Sequence, residues 1–182
     1  MLLRILIIAS LLVVSGDLLA KSPGVKTVPI SVTLSGYVFP FNVDPDDIAD
    51  RCSPPEDQCA WGIASFIGWG DISHLGESEF YAEHCSYGKL AEDVCVPDGT
   101  YGDGEITTIA DNGDVLKGTY DNGVSTPPPD PIFEDVVTFI DGGTGRFTFA
   151  SGGGVEIGTV DFSQMPPSFT IYMEGEIAYK RK

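Results

Sequence analysis

The stretch Val28-Pro29-Ile30-Ser31-Val32-Thr33-Leu34-Ser35-Gly36-Tyr37-Val38-Phe39 decides the fold class. Val28, Ile30, Val32, Leu34, Gly36 and Val38 fall on one side of an extended chain, and Ser31, Thr33 and Ser35 on the other. A period of two places alternate side chains on opposite faces, the signature of a strand buried on one side. Ser168 to Tyr179 repeats the pattern: Phe169, Ile171, Met173, Ile177 and Tyr179 face one way, and Thr170, Tyr172, Glu174 and Glu176 the other. Between the two, residues 60–73, 79–86, 102–110, 115–121, 132–140 and 155–162 read as further strands, giving about eight with turn signals between neighbours. No stretch after residue 20 holds a helical period over eleven residues, and Asp44 to Asp50 offers a single turn. The expected class is all-β, one antiparallel barrel of about eight strands. A sandwich or a jelly roll suits short, evenly spaced strands equally.

The connections carry their own chemistry. Asp111-Asn112-Gly113-Asp114 reads as a type I′ hairpin turn, since Asn-Gly tolerates positive φ at both central positions. Gly142-Gly143-Thr144-Gly145 and Gly152-Gly153-Gly154 flank a short aromatic piece, Phe147 to Phe149. Residues 40–58 and 122–131, rich in Asp and Pro, read as surface loops.

At the N-terminus, Arg4 precedes the apolar run Ile5 to Val14, which has signal-peptide length and is too short to span a bilayer. Leu18-Leu19-Ala20 offers small-residue cleavage, with Val14-Ser15-Gly16 as the other site. Residues 1–20 are therefore expected to be a signal peptide, and residues 21–182 one exported domain, secreted or periplasmic. Asp17 or Lys21 stands where a lipoprotein needs Cys. A net charge of −17 argues against nucleic acid and anionic lipid, because both would repel it. Four cysteines in an exported chain imply disulfides. Cys52–Cys59 and Cys85–Cys95 are the expected pairs, because each brackets a loop rich in Pro, Gly and acids. The spacing lacks the Cys-x-x-Cys of a zinc knuckle.

Four blocks recur in order: Ser73-His74-Leu75-Gly76; Asn112-Gly113-Asp114-x-Leu116-x-Gly118-Thr119-Tyr120; Gly142-Gly143-Thr144-Gly145-Arg146-Phe147-x-Phe149-Ala150-Ser151-Gly152; and Gly175-x-Ile177-Ala178-Tyr179. Together they resemble bacterial secreted proteins related to the allene-oxide-cyclase and dirigent barrels, in scattered blocks over residues 60 to 179. The resemblance implies a calycin-like barrel with an internal cavity. It carries no site residue onto this chain, and cyclase activity would follow from it by analogy alone.

Each candidate for chemistry has a plainer rival. The glycine block lacks the Lys-Ser/Thr of a phosphate loop, so a strand corner is expected, closed by Arg146 on a carboxylate or on carbonyls. His74 and His84 would approach each other if 75–83 formed a hairpin, giving an acid–base pair or a metal site with Glu77, Glu79 or Glu83 as a third ligand. Asp44, Asp46, Asp47 and Asp50 are a weak calcium candidate, without the glycine and closing Glu of an EF-hand. Trp61, Ile63, Ile67 and Trp69 share one face of their strand and Phe66 the other. Trp61, Phe66, Trp69, His74 and His84 are the cavity candidates, in a barrel just wide enough to be filled or to hold one small ligand. No cofactor and no nucleophilic triad is indicated. The leading expectation is an exported barrel binding a small apolar molecule or a protein partner. A cyclase or isomerase on a hydrophobic substrate, and a structural or surface-interaction protein, are the alternatives.

Overall fold

The computed structural model describes residues 24–128 and 131–180. The expected signal peptide lies outside them. Eight strands follow one another: β1 (Val25–Val38), β2 (Cys59–Ile72), β3 (Gly76–Ala91), β4 (Val94–Ala110), β5 (Val115–Ser125), β6 (Ile132–Ile140), β7 (Ser151–Asp161) and β8 (Ser168–Lys180). Each pairs antiparallel with the next, and β8 pairs with β1 to close a barrel. Closure leaves no open sheet edge around the wall. It sets aside the sandwich and jelly-roll alternatives.

The period-two faces of β1 and β8 are as the sequence indicates: Ile30, Leu34, Phe169, Ile171, Met173 and Ile177 are all buried inside. β3 and β4 run further than expected, meeting in a tight turn at Glu92-Asp93, where both residues have positive φ. That is the backbone of a type I′ turn, built without glycine. The Asp111–Asp114 turn differs from expectation. Only Gly113 there has positive φ, Gly113 N bonds to Ala110 O, and Ala110 N bonds to Asp114 O. This is a three-residue loop with a left-handed glycine, because the Asn112 side chain caps Asp114 N and holds its own backbone out of the left-handed region.

α1 (Pro45–Arg51) is the single turn anticipated at 44–50, extended to seven residues. Asp44 caps it through Asp46 N, and a proline at its start has no N–H to leave unpaired. Arg51 at its end reaches Glu83 and the carbonyl of Asp103.

Both disulfides form with exchanged partners: Cys52–Cys85 and Cys59–Cys95, in place of the expected local pairs. Cys52 ends α1 and Cys85 faces outward from mid-β3, so the first bridge staples the helix to the wall. Cys59 opens β2 and Cys95 lies just after the β3–β4 turn, so the second ties two strands across β3. Local loop composition could not reveal this, because strand pairing, not proximity in sequence, brings these sulfurs together.

The barrel divides into two halves. At one end the β2–β3 turn, the β4–β5 turn and the β6–β7 connection close it, with Leu75, Phe147 and Ala150 nearly inaccessible. Above them Ile30, Ile72, Leu116, Val137, Phe139 and Met173 fill the bore around a void of about 20 Å³, room for about one water. The glycine block is the corner expected of it. Arg146 sits 3.5 Å from Asp114 and lies over the ring of Phe147.

Candidate ligand-binding site

The other half is hollow. A cavity of about 480 Å³ opens at the end where β1, β3, β5 and β7 finish and β2, β4, β6 and β8 begin. Its rim is made of the segment before α1, the start of β4, and Thr126, Pro127, Pro128 and Pro131 between β5 and β6. Phe66, Phe80, Phe133, Val160 and Ile171 wall it. This is the size and character of a small-molecule pocket, concave and mostly apolar.

Toward the filled half the wall turns polar. His84 (β3), Tyr101 (β4), Tyr120 (β5), Asp135 (β6) and Glu156 (β7) come from five consecutive strands and all line the cavity. Tyr101 and Tyr120 extend from β4 and β5 across facing glycines. A Cβ at Gly123 would overlap the Tyr101 ring, and one at Gly104 the Tyr120 ring. The bulges that break the ladders at Glu83–Cys85 and Asp121–Val124 fall beside these two rings and re-aim the strands there. The His84 ring stacks on Tyr101 at 4.4 Å, and its Nδ1 lies 3.0 Å from the Tyr120 hydroxyl. The Tyr101 hydroxyl donates to Asp135 Oδ2 at 2.8 Å. Asp135 and Glu156 stand directly opposite one another across β6 and β7.

Burial governs the charge of this group. Loss of hydration, and then the Arg51 charge, push the His84 imidazole down to about 3, so it is neutral at pH 7. Burial lifts the Asp135 carboxyl to about 6, against the opposing bond from Tyr101. Burial and the nearby Asp135 charge raise Glu156 well above the usual carboxylate range. Two facing carboxyls in an apolar bore do not both ionise readily, so the pair tends to retain a proton.

Of the five expected cavity residues, Trp61, Phe66 and His84 line it and Trp69 and His74 do not. Trp69 is 51% exposed on the outer wall, edge-on to Tyr37. The expected shared face of Trp61, Ile63, Ile67 and Trp69 is broken by a bulge between Ala60 and Gly62, which turns Trp61 inward while the later odd residues point out. Trp61 is fixed there by Phe41 at 4.8 Å and by donation from Nε1 to Tyr87 O. His74 lies in the β2–β3 turn at the closed end, in a left-handed conformation, with Nε2 2.9 Å from Pro29 O. The two histidines therefore do not meet. Glu77 and Glu79 are exposed, and Glu83 pairs with Arg51. Asp44 and Asp47 are engaged in the helix cap and with Asn42. Among the described residues, no group of three or more His, Cys, Asp or Glu side chains is placed to hold a metal ion.

Tyr101, Tyr120, Asp135 and Glu156 are site residues that strand-by-strand hydropathy hides. In β7, Glu156 alternates with Val155 and Ile157, so hydropathy alone turns the valine and isoleucine inward, whereas both are about half exposed. The available signal was parity: Asp135 shares its strand face with Phe133, Val137 and Phe139. No family model, curated protein or solved structure matches the chain.

Proposed function

We propose that this is an exported barrel that binds a small, mostly apolar molecule in the hollow half. The observation that carries this reading is the cavity of about 480 Å³ with apolar walls and one polar end. Such a division fixes a ligand's orientation as well as holding it. A ligand burying about 300 Å² of apolar surface would gain roughly 7 kcal/mol before the costs of binding. The resemblance to allene-oxide-cyclase and dirigent barrels is compatible with it. Export is part of the proposal: two disulfides suit an oxidising compartment. Among the described residues no helix is long and apolar enough to cross a membrane. Intact mass of protein recovered outside the cytoplasm should begin near Lys21, and a mass that includes Met1 to Ala20 would refute export.

The binding test is a thermal-shift screen against terpenoids, phenolics and aromatic amines, run beside Ala82→Phe. Ala82 lines the cavity, and a phenyl ring there would occupy it. Stabilisation of wild type that vanishes in Ala82→Phe supports the reading. No stabilisation by any class counts against it.

The acid pair favours a second reading, a cyclase or isomerase on a hydrophobic substrate, because a protonated carboxyl facing an apolar cavity is a competent general acid. That reading expects Glu156→Gln to abolish turnover of a bound substrate while leaving its affinity intact.

A further inference from the structure

We propose that the molecule held in this cavity is a hydrophobic amine, bound as its cation with the ammonium between Asp135 and Glu156. The inference rests on the ligand-binding reading above and names the chemical class that site selects.

The two carboxyls are paired by the fold. Asp135 and Glu156 are opposed in the β6–β7 register, both point into the bore, and they are 2% and 7% exposed. Opposed residues of an antiparallel ladder hold their Cβ atoms about 5 Å apart, a gap that one small cation can bridge. The hydrogen bonding is incomplete on one side. Asp135 Oδ2 accepts from Tyr101, but Oδ1 is buried with no protein donor in reach. Buried carboxylate oxygens are almost always partnered, so an unmet acceptor on a residue that lines the cavity leaves a place for a ligand donor once the carboxyl turns toward it.

Among the described residues no cation supplies that donor. The ion pairs among the described residues are Arg51–Glu83 and Arg146–Asp114, and neither involves this pair. The groups facing the carboxyls from the adjoining strands are Tyr101, Tyr120 and His84, with Met173 opposite Glu156 on β8. His84, engaged with Tyr120 and stacked on Tyr101, is held neutral by burial and brings no charge.

Ligand classes separate on these facts. A carboxylate ligand would add a further negative charge to a pair that already fails to ionise fully in a low-dielectric bore, and is rejected. An alcohol offers one donor. An ammonium offers three, enough for Asp135 Oδ1 and Glu156 together. The rings of Tyr101 and Tyr120 beside the pair add the attraction of aromatic faces for a cation. The remaining wall, Phe66, Phe80, Phe133 and Val160, suits the apolar body of the same molecule. Arrival of the cation displaces the proton that the pair retains when free, and that proton passes to the buffer.

Isothermal titration at pH 7.5, in two buffers of different ionisation heat, tests this with three probes sharing a naphthyl group: 2-naphthylethylamine, 2-naphthylethanol and 2-naphthylacetate. Wild type should bind the amine about tenfold or more tighter than the alcohol, with proton release, and the acetate not detectably. In Asp135→Asn, and separately in Glu156→Gln, the amine should lose its advantage while the alcohol keeps its affinity. An alcohol that binds as tightly as the amine, or an amine preference surviving in both variants, overturns the proposal while the ligand-binding reading stands. Failure of all three probes overturns both.

Discussion

His84 is the most quantitative test of the polar end of the cavity. Its imidazole is buried against Tyr101 and Tyr120 and held neutral, with its titration pushed down from 6.5 to about 3. In the unfolded chain the same group takes a proton below about pH 6.5. Between those limits the unfolded state binds more protons than the folded one, so stability is fully present above pH 6.5 and falls as pH drops. One pKa unit is worth about 1.4 kcal/mol, so this residue alone removes about 3 kcal/mol between pH 7.5 and pH 4.5. His84→Gln keeps a hydrogen-bonding partner for Tyr120 and removes the titration. Urea unfolding of both proteins with disulfides intact, at half-unit steps from pH 7.5 to pH 4.5, isolates the effect. The variant starts less stable by a pH-independent amount for its altered packing. The difference between the proteins should then close by about 3 kcal/mol as pH falls. A difference that stays flat to within about 0.5 kcal/mol would mean that His84 is solvated or charged, and that the polar end is not dry.

The buried carboxyls act in the opposite direction. Asp135 is raised from 3.8 to about 6 by burial, so its penalty grows as pH rises, and Asp135→Asn should gain on wild type by up to about 3 kcal/mol between pH 4 and pH 8 in the same urea assay. Removing the Cys52–Cys85 bridge as a double alanine variant opens a loop spanning 33 residues. The chain-entropy estimate gives a loss of about 4 kcal/mol, read from the urea midpoint and slope. Non-reducing peptide mapping should find Cys52 joined to Cys85 and Cys59 to Cys95. Gly123→Ala should disturb the site from outside it, since the added methyl meets the Tyr101 ring; near-ultraviolet circular dichroism of the tyrosines should change with loss of about 1–3 kcal/mol.

The wall of the barrel was legible because period two is a local property. Val28 to Val38 and Phe169 to Tyr179 show their inner faces without any knowledge of neighbours. What sequence reading lost depends on pairing. A bulge at Ala60/Gly62 turns Trp61 into the cavity and leaves Trp69 outside, and no composition signal marks it. The disulfides cross between elements that lie apart in sequence. Four of the polar cluster's five members, Tyr101, Tyr120, Asp135 and Glu156, were hidden because each comes from a different strand and nothing local links it to the others. Only the closed register puts them at one level of the bore. His84 was singled out from sequence, but with His74 as partner. Its actual partners, Tyr101 and Tyr120, lie on the next two strands.

The central claim is that the open half of the barrel admits a ligand, and the two tryptophans make it directly measurable. Trp61 lines the cavity and Trp69 sits on the outer wall. A Trp69→Phe variant therefore reports from the cavity alone, and a Trp61→Phe variant from the outside alone. Titrated with 2-naphthylethanol or 2-naphthylethylamine, with the naphthyl group's own absorption and emission subtracted by a parallel titration of free tryptophan, the Trp69→Phe protein should show a saturable change in emission. The Trp61→Phe protein should show a much smaller one. Equal responses from the two, or no saturable response from Trp61, would contradict a ligand site inside this barrel.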